Sequence, residues 1–119
     1  MNFEEKESGI ENELKKLGYW NGLYTKNDYF GTGPTILAIH AKKILDEYSL
    51  KNILELGCGQ GRDSIYFAKL GYSIIASDIS ENAIKFIEKI SNDENLKNLQ
   101  LVVHDVQKPL NFQNSKFDM

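Results

Sequence analysis

Several residue types that define other protein classes are scarce in this 119-residue sequence. The single cysteine, Cys58, excludes an internal disulfide, and without a C-x-x-C pair the sequence predicts neither a thiolate metal site nor a dithiol redox centre. The two histidines are not spaced as metal ligands usually are, so the sequence predicts no metal site. No apolar run approaches the roughly 18 residues of a membrane-spanning helix, and the acidic first residues do not resemble a signal peptide. We therefore expect a cytoplasmic protein without a membrane segment.

The net charge and the length of the chain further limit the kinds of protein that it can be. A net charge of −3 argues against a nucleic-acid-binding surface in this part. The length fits one domain, which can bury roughly 65% of the surface of its unfolded chain. Residues 3–17 have helical periodicity and aromatic residues follow them. We predict an N-terminal helix and aromatic segment at residues 1–33 and the main domain at residues 34–119.

Three glycines at alternating positions are the most informative feature that the sequence does contain. Gly57, Gly59 and Gly61 follow the apolar residues 53–56, which predict a buried strand. Packing alone does not explain these glycines, because glycine costs backbone entropy and has no side chain to bury. At the carboxyl end of a parallel strand, such a turn lets a ligand approach bare N–H groups and the start of the next helix. A side chain at Gly59 is then expected to project into the volume of the ligand.

The spacing of the turn discriminates between ligands. The dinucleotide fingerprint G-x-G-x-x-G, counted from Gly57, requires its third glycine where Arg62 stands. Glu55 precedes the turn and would repel a pyrophosphate, whereas a cationic ligand would tolerate its carboxylate. A dinucleotide-dependent oxidoreductase fragment is therefore the less favoured alternative.

The rest of the main domain predicts alternating strands and helices. We expect strands at residues 53–56, 73–77 and 99–103 and helices at residues 34–48, 62–70 and 81–91. Ser80 is expected to cap the last helix. The side chains expected to face packed layers include Leu37, Ala41, Ile44, Leu45 and Tyr48 in the first helix and Ile65, Phe67, Ala68 and Leu70 in the second. This order predicts an α/β domain with a parallel sheet.

An acidic residue stands where the second strand ends. Asp78 follows Gly57 by about 20 residues, the offset at which a carboxylate reaches the hydroxyls of a bound ribose. Because the carboxyl ends of parallel strands share one edge of the sheet, we expect Asp78 beside the glycine turn.

The pattern E-x-G-x-G-x-G, formed by Glu55, Gly57, Gly59 and Gly61, resembles motif I of the class I S-adenosylmethionine-dependent methyltransferases. Residues 59–64, Gly-Gln-Gly-Arg-Asp-Ser, look most like the tellurite-resistance and thiopurine type. The resemblance implies a Rossmann-like sheet of seven strands. Strands 1 to 3 and the start of strand 4, at residues 116–119, would be present, so we expect the front half of a methyltransferase domain, as a fragment or a truncated gene product.

The resemblance also assigns residues to S-adenosylmethionine. It implies that Asp78 binds the ribose and Ile79 packs on the adenine, while Asp105 reaches the adenine amino group and Val106 contributes a backbone contact or an apolar wall. The implied cofactor-binding set is Glu55, Gly57, Cys58, Gly59, Gly61, Asp78, Ile79, Asp105 and Val106. Cys58 is expected to contribute its backbone and not a nucleophilic thiol, since no base is placed beside it.

The aromatic residues of the N-terminal segment have two interpretations. Trp20 and Tyr24 could belong to a lid over the cofactor, as in relatives of the family, where an aromatic ring beside a sulfonium gains cation–π attraction of roughly 0.5 to 2 kcal/mol. They could equally be core residues, which is the commoner use of aromatics at helical or turn spacing. Tyr29 and Phe30 continue the same stretch.

The function that follows is methyl transfer to a small-molecule acceptor. Alignment and desolvation supply much of the acceleration of such a displacement, so a catalytic side chain is optional, and the sequence identifies none. We expect this chain alone to be inactive and its unfinished sheet edge to favour a homodimer. A noncatalytic S-adenosylmethionine-binding or assembly module stays an alternative.

Overall fold

A computed structural model of the chain describes residues 18–25, 31, 33–112 and 116–119. The helical face predicted within residues 3–17, together with Tyr29 and Phe30, lies outside these residues. Within them, no helix is long and apolar enough to cross a membrane.

Three parallel strands form the sheet. They are β1 (Asn52–Leu56), β2 (Ser73–Asp78) and β3 (Leu99–Val103), hydrogen-bonded in the order β1-β2-β3. Residues 74–78 of β2 are all buried. A central strand covered on both faces explains why this segment reads as a nearly continuous apolar run without the alternation of a half-exposed strand.

The helices begin and end close to the predicted residues. They are α1 (Ile36–Glu47), α2 (Arg62–Lys69) and α3 (Glu81–Asp93), and residues 18–23 are also helical. Thr35 and Ser80 are the N-caps of α1 and α3, and the hydroxyl of each accepts from a backbone N–H in the first helical turn. The α/β order and the parallel sheet predicted from the sequence are confirmed.

The last residues lie along the free edge of β1, as the predicted start of a fourth strand requires. Leu54 N–H donates to Met119 O at 2.8 Å, and Asp118 N–H donates to Asn52 O at the same distance. The carboxylate of Asp118 also accepts from the N–H groups of Lys51 and Asn52. The chain therefore continues on the side of β1 opposite β2, which is the order of a doubly wound sheet.

The inward face of α1 differs from the prediction. Leu45 is fully buried and Ala38 nearly so, but Leu37 is 77% exposed, and Ile44 and Tyr48 are also exposed. Leu37 and Ile44 each precede a buried residue, Ala38 and Leu45, by one position, which is about 100° around the helix. Both stripes are apolar with the same spacing, so periodicity could not choose between them.

The prediction for the end of α2 was wrong at one residue. Leu70 is exposed, whereas Phe67 and Ala68 are buried as expected. Leu70 is the C-cap, and Gly71 follows it with a φ of +92°. The left-handed turn directs the chain away from the helix at this point, so the leucine no longer lies on its inward stripe.

Candidate functional site

The turn between β1 and α2 is built from the three alternating glycines. Gly57, Gly59 and Gly61 have φ angles of +68°, +56° and +83°, in the left-handed region that side chains disfavour. Cys58 N–H donates to Ser77 O at 2.9 Å, which fixes the turn to the end of β2. The glycines alternate in the sequence because the backbone is left-handed at every second position of the turn.

Each glycine also has its own surroundings. A Cβ at Gly59 would lie 2.8 Å from the hydroxyl of Tyr24, and a Cβ at Gly61 would lie 2.8 Å from Cγ1 of Ile87 in α3. A Cβ at Gly57 would meet nothing within 4 Å. The expectation for Gly59 is therefore corrected, because a side chain there would first meet Tyr24. Gly57 is the position where open space reaches the backbone.

Asp78 ties the glycine turn to the start of α3. Its Oδ2 accepts from Gly59 N–H and its Oδ1 from Ser80 N–H, both at 2.9 Å. The carboxylate is buried, so these charge-assisted bonds compensate its loss of water. A carboxylate can accept about four hydrogen bonds, so Asp78 keeps acceptor capacity for a ligand.

A cavity of about 220 Å³ lies at the carboxyl ends of the strands, and we call it the strand-end cavity. It brings together five residues of the predicted cofactor set and both predicted lid residues. Its lining consists of Trp20, Tyr24, Gly57, Asp78, Ile79, His104, Asp105 and Val106. Asp105 is half-buried and Val106 is exposed, so the rim is open on the side of β3.

The aromatic segment, residues 18–25, forms one side of this cavity. The rings of Trp20 and Tyr24 stack with centroids 6.1 Å apart. Tyr24 is buried, and burial, followed by the nearby Asp78 carboxylate, raises the pKa of its hydroxyl, which stays protonated at neutral pH. Asn21 bonds to the start of α3 through Ser80 and Asn82. Tyr24 is thus a buried residue that also lines the cavity, and Trp20 lines it while half-buried, whereas their place in a lid over a cofactor stays a prediction.

A second cavity of about 260 Å³ lies on the other side of the turn, and we call it the glycine-turn cavity. Gly57 and Tyr24 line both cavities. The full lining is Tyr24, Gly31, Thr35, Glu55, Gly57, Cys58, Gly59, Gln60, Arg62 and Asp63. Of the predicted set, Gly61 lines neither cavity and packs against α3 instead.

Glu55 and Asp63 contribute carboxyl groups to the glycine-turn cavity, and Arg62 contributes a cation. The pKa of Glu55 is raised to about 7, mainly by burial; the hydrogen bond from Ser64 Oγ at 2.7 Å opposes the rise, and the carboxylates of Asp63 and Asp78 contribute to it. Among the described residues, Glu55 has no ion-pair partner. A cation bound here would favour the ionised form of Glu55.

Two hydrogen bonds fix Asp63 at the same cavity. Its carboxylate accepts from the N–H of Thr35 at 2.7 Å and from the hydroxyl of Thr35 at 2.8 Å. The neighbouring Arg62 donates from Nε to Gly33 O at 3.0 Å. The first turn of α2 therefore holds the segment that leads into α1.

Several site residues were missed by the sequence analysis. His104 lines the strand-end cavity, although its place after β3 suggested only a strand-end residue. Thr35, Gln60, Arg62 and Asp63 line the glycine-turn cavity. Their nearness to the turn in sequence was a usable signal for the last three, because the first residues after such a turn start the helix at the ligand.

The thiol of Cys58 is not a reactive group here. It is buried, and burial, followed by the carboxyl groups of Glu55 and Asp78, raises its pKa well above the usual value. The described residues contain no group of three or more His, Cys, Asp or Glu side chains that could hold a metal ion.

A larger cavity of about 580 Å³ lies between α2 and α3. It shares Gly31, Gln60 and Arg62 with the glycine-turn cavity, but no residue of a strand lines it. Neither Glu55 nor Asp78 reaches it. We therefore assign the candidate site to the two smaller cavities at the strand ends, where a doubly wound sheet binds its ligands.

The chain is similar to named methyltransferases in sequence and in structure. It is 40% identical over 91 residues to the probable S-adenosyl-L-methionine-dependent methyltransferase TehB of Haemophilus influenzae, a match covering 71% of this chain and 30% of that protein. The crystal structure of TehB from Haemophilus influenzae superposes with a TM-score of 0.55 at 32% identity, over 76% of this chain and 28% of that one.

A structure from another organism has the same fold. The crystal structure of a putative S-adenosyl-L-methionine-dependent methyltransferase from Methanococcus maripaludis superposes with a TM-score of 0.57 at 28% identity, over 68% of this chain and 38% of that one. The chain thus spans about 30% of the length of the curated relative and less than half of either structure.

The family comparison covers most of the chain, including the glycine turn, Asp78 and the last residues along β1. The family model described as tellurite resistance protein TehB matches residues 23–119. The chain therefore belongs to the TehB family, and its Rossmann-like fold is that of the S-adenosylmethionine-dependent methyltransferases to which it is similar.

Proposed function

We propose that this chain is the S-adenosylmethionine-binding part of a methyltransferase whose acceptor is a small molecule. The single observation that supports the proposal most is the strand-end cavity, where Gly57, Asp78, Ile79 and Asp105 come together. In this proposal Asp78 accepts from the ribose hydroxyls with its remaining lone pairs. Ile79 packs on the adenine, Asp105 accepts from the adenine amino group, and the backbone beside it lies along the ring.

The charge of the second cavity supports the same ligand. Glu55, Asp63 and Asp78 place negative charge around the glycine turn, and S-adenosylmethionine carries a sulfonium and an ammonium group. A pyrophosphate at this turn would be repelled by the same carboxylates. These carboxylates and the glycine spacing disfavour the dinucleotide alternative, whereas Arg62 at the same cavity would not oppose a pyrophosphate.

Bound S-adenosylmethionine supplies a methyl group on a sulfonium whose departure leaves a neutral thioether. The residues of this chain bind and orient that group, and the Trp20 and Tyr24 rings limit the access of water to the strand-end cavity. Alignment and desolvation are the main requirements of an in-line displacement. We infer that the groups positioning the acceptor belong to the parts of the relatives that this chain does not match.

Calorimetry on the 119-residue chain tests the proposal. We expect S-adenosylhomocysteine and S-adenosylmethionine to bind with one site each and NAD not to bind. Equal or tighter binding of NAD would contradict the proposal. Methyl transfer by the longest product of the gene then separates a methyltransferase from a noncatalytic binding module, which would bind the cofactor and transfer nothing.

The proposal extends to assembly and location. Among the described residues, the free edge of β1 pairs with the short segment at residues 118–119, and Leu56 at the end of β1 is exposed. Such an edge favours pairing with a second copy, so we propose a homodimer of the 119-residue chain in the cytoplasm. Light scattering at several concentrations checks this, and a monomer at all of them would contradict it.

A further inference from the structure

Asn21 joins the aromatic segment to the start of α3. Its Oδ1 accepts from Ser80 Oγ at 2.7 Å and from Asn82 N–H at 3.1 Å. Its backbone carbonyl accepts from Asn82 Nδ2 at 2.9 Å. Three hydrogen bonds thus join residues that lie about 60 positions apart in the sequence.

These bonds end at a rigid and buried point of the fold. Ser80 is fully buried, and its hydroxyl accepts from Ala83 N–H while it donates to Asn21. The Asn82 N–H is one of the donors that a helix leaves without an intrahelical partner in its first turn. Asn21 therefore completes the cap of α3 from outside the helix, and breaking the contact leaves that N–H and the Ser80 hydroxyl to find new partners.

Asn21 lies between the two rings in the sequence of the aromatic segment. Trp20 precedes it directly, and Tyr24 N–H donates to Trp20 O at 3.1 Å, which keeps Tyr24 one helical turn further along. Both rings line the strand-end cavity across from Gly57 and Asp78. The Tyr24 hydroxyl also lies where a side chain at Gly59 would project. Because Tyr24 lines both cavities, a shift of the aromatic segment would open both of them.

We propose that Asn21 is the positioning residue that holds Trp20 and Tyr24 over the bound cofactor and so sets the rate at which the cofactor dissociates. This inference rests on the proposed function for the identity of the ligand. The attachment of the segment to α3 does not depend on it.

Three variants of the 119-residue chain separate positioning from general stability. Asn21→Ala removes the Oδ1 acceptor. Asn21→Asp keeps an acceptor at the same place and should therefore keep the aromatic segment in position. Asn98→Ala is the matched control, because Asn98 Nδ2 donates to Ala68 O and Tyr72 O, each at 2.7 Å, at the opposite end of the sheet. Loss of these bonds should lower the melting temperature without moving the aromatic segment.

Trp20 is the only tryptophan of the chain, so its fluorescence reports the segment directly. We expect Asn21→Ala to increase quenching of Trp20 by acrylamide in the absence of ligand and to accelerate the dissociation of S-adenosylhomocysteine by about tenfold. Asn21→Asp should behave like the parent chain in both measurements, and so should Asn98→Ala.

The quenching of Trp20 and the dissociation rate of S-adenosylhomocysteine test different parts of the proposal. Unchanged quenching of Trp20 in Asn21→Ala would overturn the positioning role, and so would an equal effect of Asn98→Ala. Faster dissociation in Asn21→Asp matching that of Asn21→Ala would also overturn it. If the parent chain binds no S-adenosylhomocysteine, the proposed function fails, and the quenching experiment still decides whether Asn21 holds the segment.

Discussion

The two ends of the parallel sheet are closed by the same kind of bond and have different surroundings. Where the strands begin, the Asp118 carboxylate accepts from the N–H groups of Lys51 and Asn52. Where the strands end, the Asp78 carboxylate accepts from Gly59 and Ser80. Asp118 is exposed, whereas Asp78 is buried beside open cavities. Similar bonds therefore hold a solvent-facing edge at one end and shape the candidate site at the other.

The pKa values of Asp118 and Glu55 differ in the same way between the two ends of the sheet. The N–H groups of Asn52 and Lys51 lower the pKa of Asp118. The pKa of Glu55 is raised to about 7, mainly by burial and in part by neighbouring carboxyl groups. A carboxyl group surrounded by donors and water is stable as an anion, whereas Glu55 has no ion-pair partner among the described residues. This difference is one reason to expect a cationic ligand where the strands end.

The largest effect should come from Gly61, compared with Gly71 at the other end. Both have positive φ angles, but a Cβ at Gly61 would clash with Ile87 and one at Gly71 would meet nothing within 4 Å. Backbone strain costs about 1–2 kcal/mol, and overpacking adds about 1–3 kcal/mol. Gly61→Ala should therefore lower the free energy of unfolding, measured with denaturant, by more than Gly71→Ala. Equal losses would show that α3 moves away without cost.

Asp78 should be the next most sensitive residue. Asp78→Ala removes an acceptor of backbone N–H groups and of the proposed ribose bonds, so S-adenosylhomocysteine should bind more weakly by about 1.5–3 kcal/mol. Asp118→Ala removes the same number of backbone bonds from the other end and should leave the affinity unchanged. Calorimetry compares the two variants, and unchanged affinity in Asp78→Ala would remove this residue from the site.

Binding of S-adenosylmethionine should depend on pH through Glu55. The pKa of Glu55 in the free protein is raised to about 7, and a bound cation lowers it. Binding therefore releases a proton below pH 7, and affinity should fall as the pH falls from 8 to 6, by at most about tenfold per unit.

The Glu55→Gln variant assigns this dependence. It should flatten the calorimetric profile, whereas Asp118→Asn should leave it unchanged, because the pKa of Asp118 is lowered and the group stays ionised in this range. His104 also lines the strand-end cavity, so a slope that survives in Glu55→Gln would transfer the effect to another group.

The smallest effect concerns Gly59 and Tyr24. Gly59→Ala places a Cβ 2.8 Å from the Tyr24 hydroxyl, and the aromatic segment must shift slightly. Adding Tyr24→Phe removes the nearest atom, so the double variant should recover part of the loss in stability, about 0.5–1 kcal/mol. Denaturation of the four proteins of this cycle measures the coupling. Strict additivity would show that Tyr24 adjusts freely.

The sequence was sufficient for the three strands, for helices α1 to α3 and for the glycine turn, whereas the helical residues 18–23 were expected only as an aromatic segment. The signals of the predicted elements are local, since alternating glycines demand positive φ angles and Ser80 caps the helix that follows it. The end of β2 at Asp78 followed from the same strand–turn–helix–strand order. The cavity lined by Gly57, Asp78 and Asp105 could be anticipated because parallel strands end at one edge.

Other features depend on contacts that no local pattern records. Asn21 is a polar residue in a helical segment, and nothing near it in sequence points to Ser80. The inward face of α1 was wrong because Leu37 and Ala38 begin equally apolar stripes. The pKa of Glu55 depends on burial by the assembled fold. Tertiary packing determines all three.

Because Gly57 and Tyr24 border both cavities, the two volumes can be treated as subsites joined at one boundary. A nucleoside fragment and an amino-acid fragment would then each bind weakly on its own side. A covalent link between them turns the second contact into an intramolecular event with a high effective concentration. The chain should therefore distinguish the intact cofactor from a mixture of adenosine and methionine far more strongly than either fragment's affinity suggests.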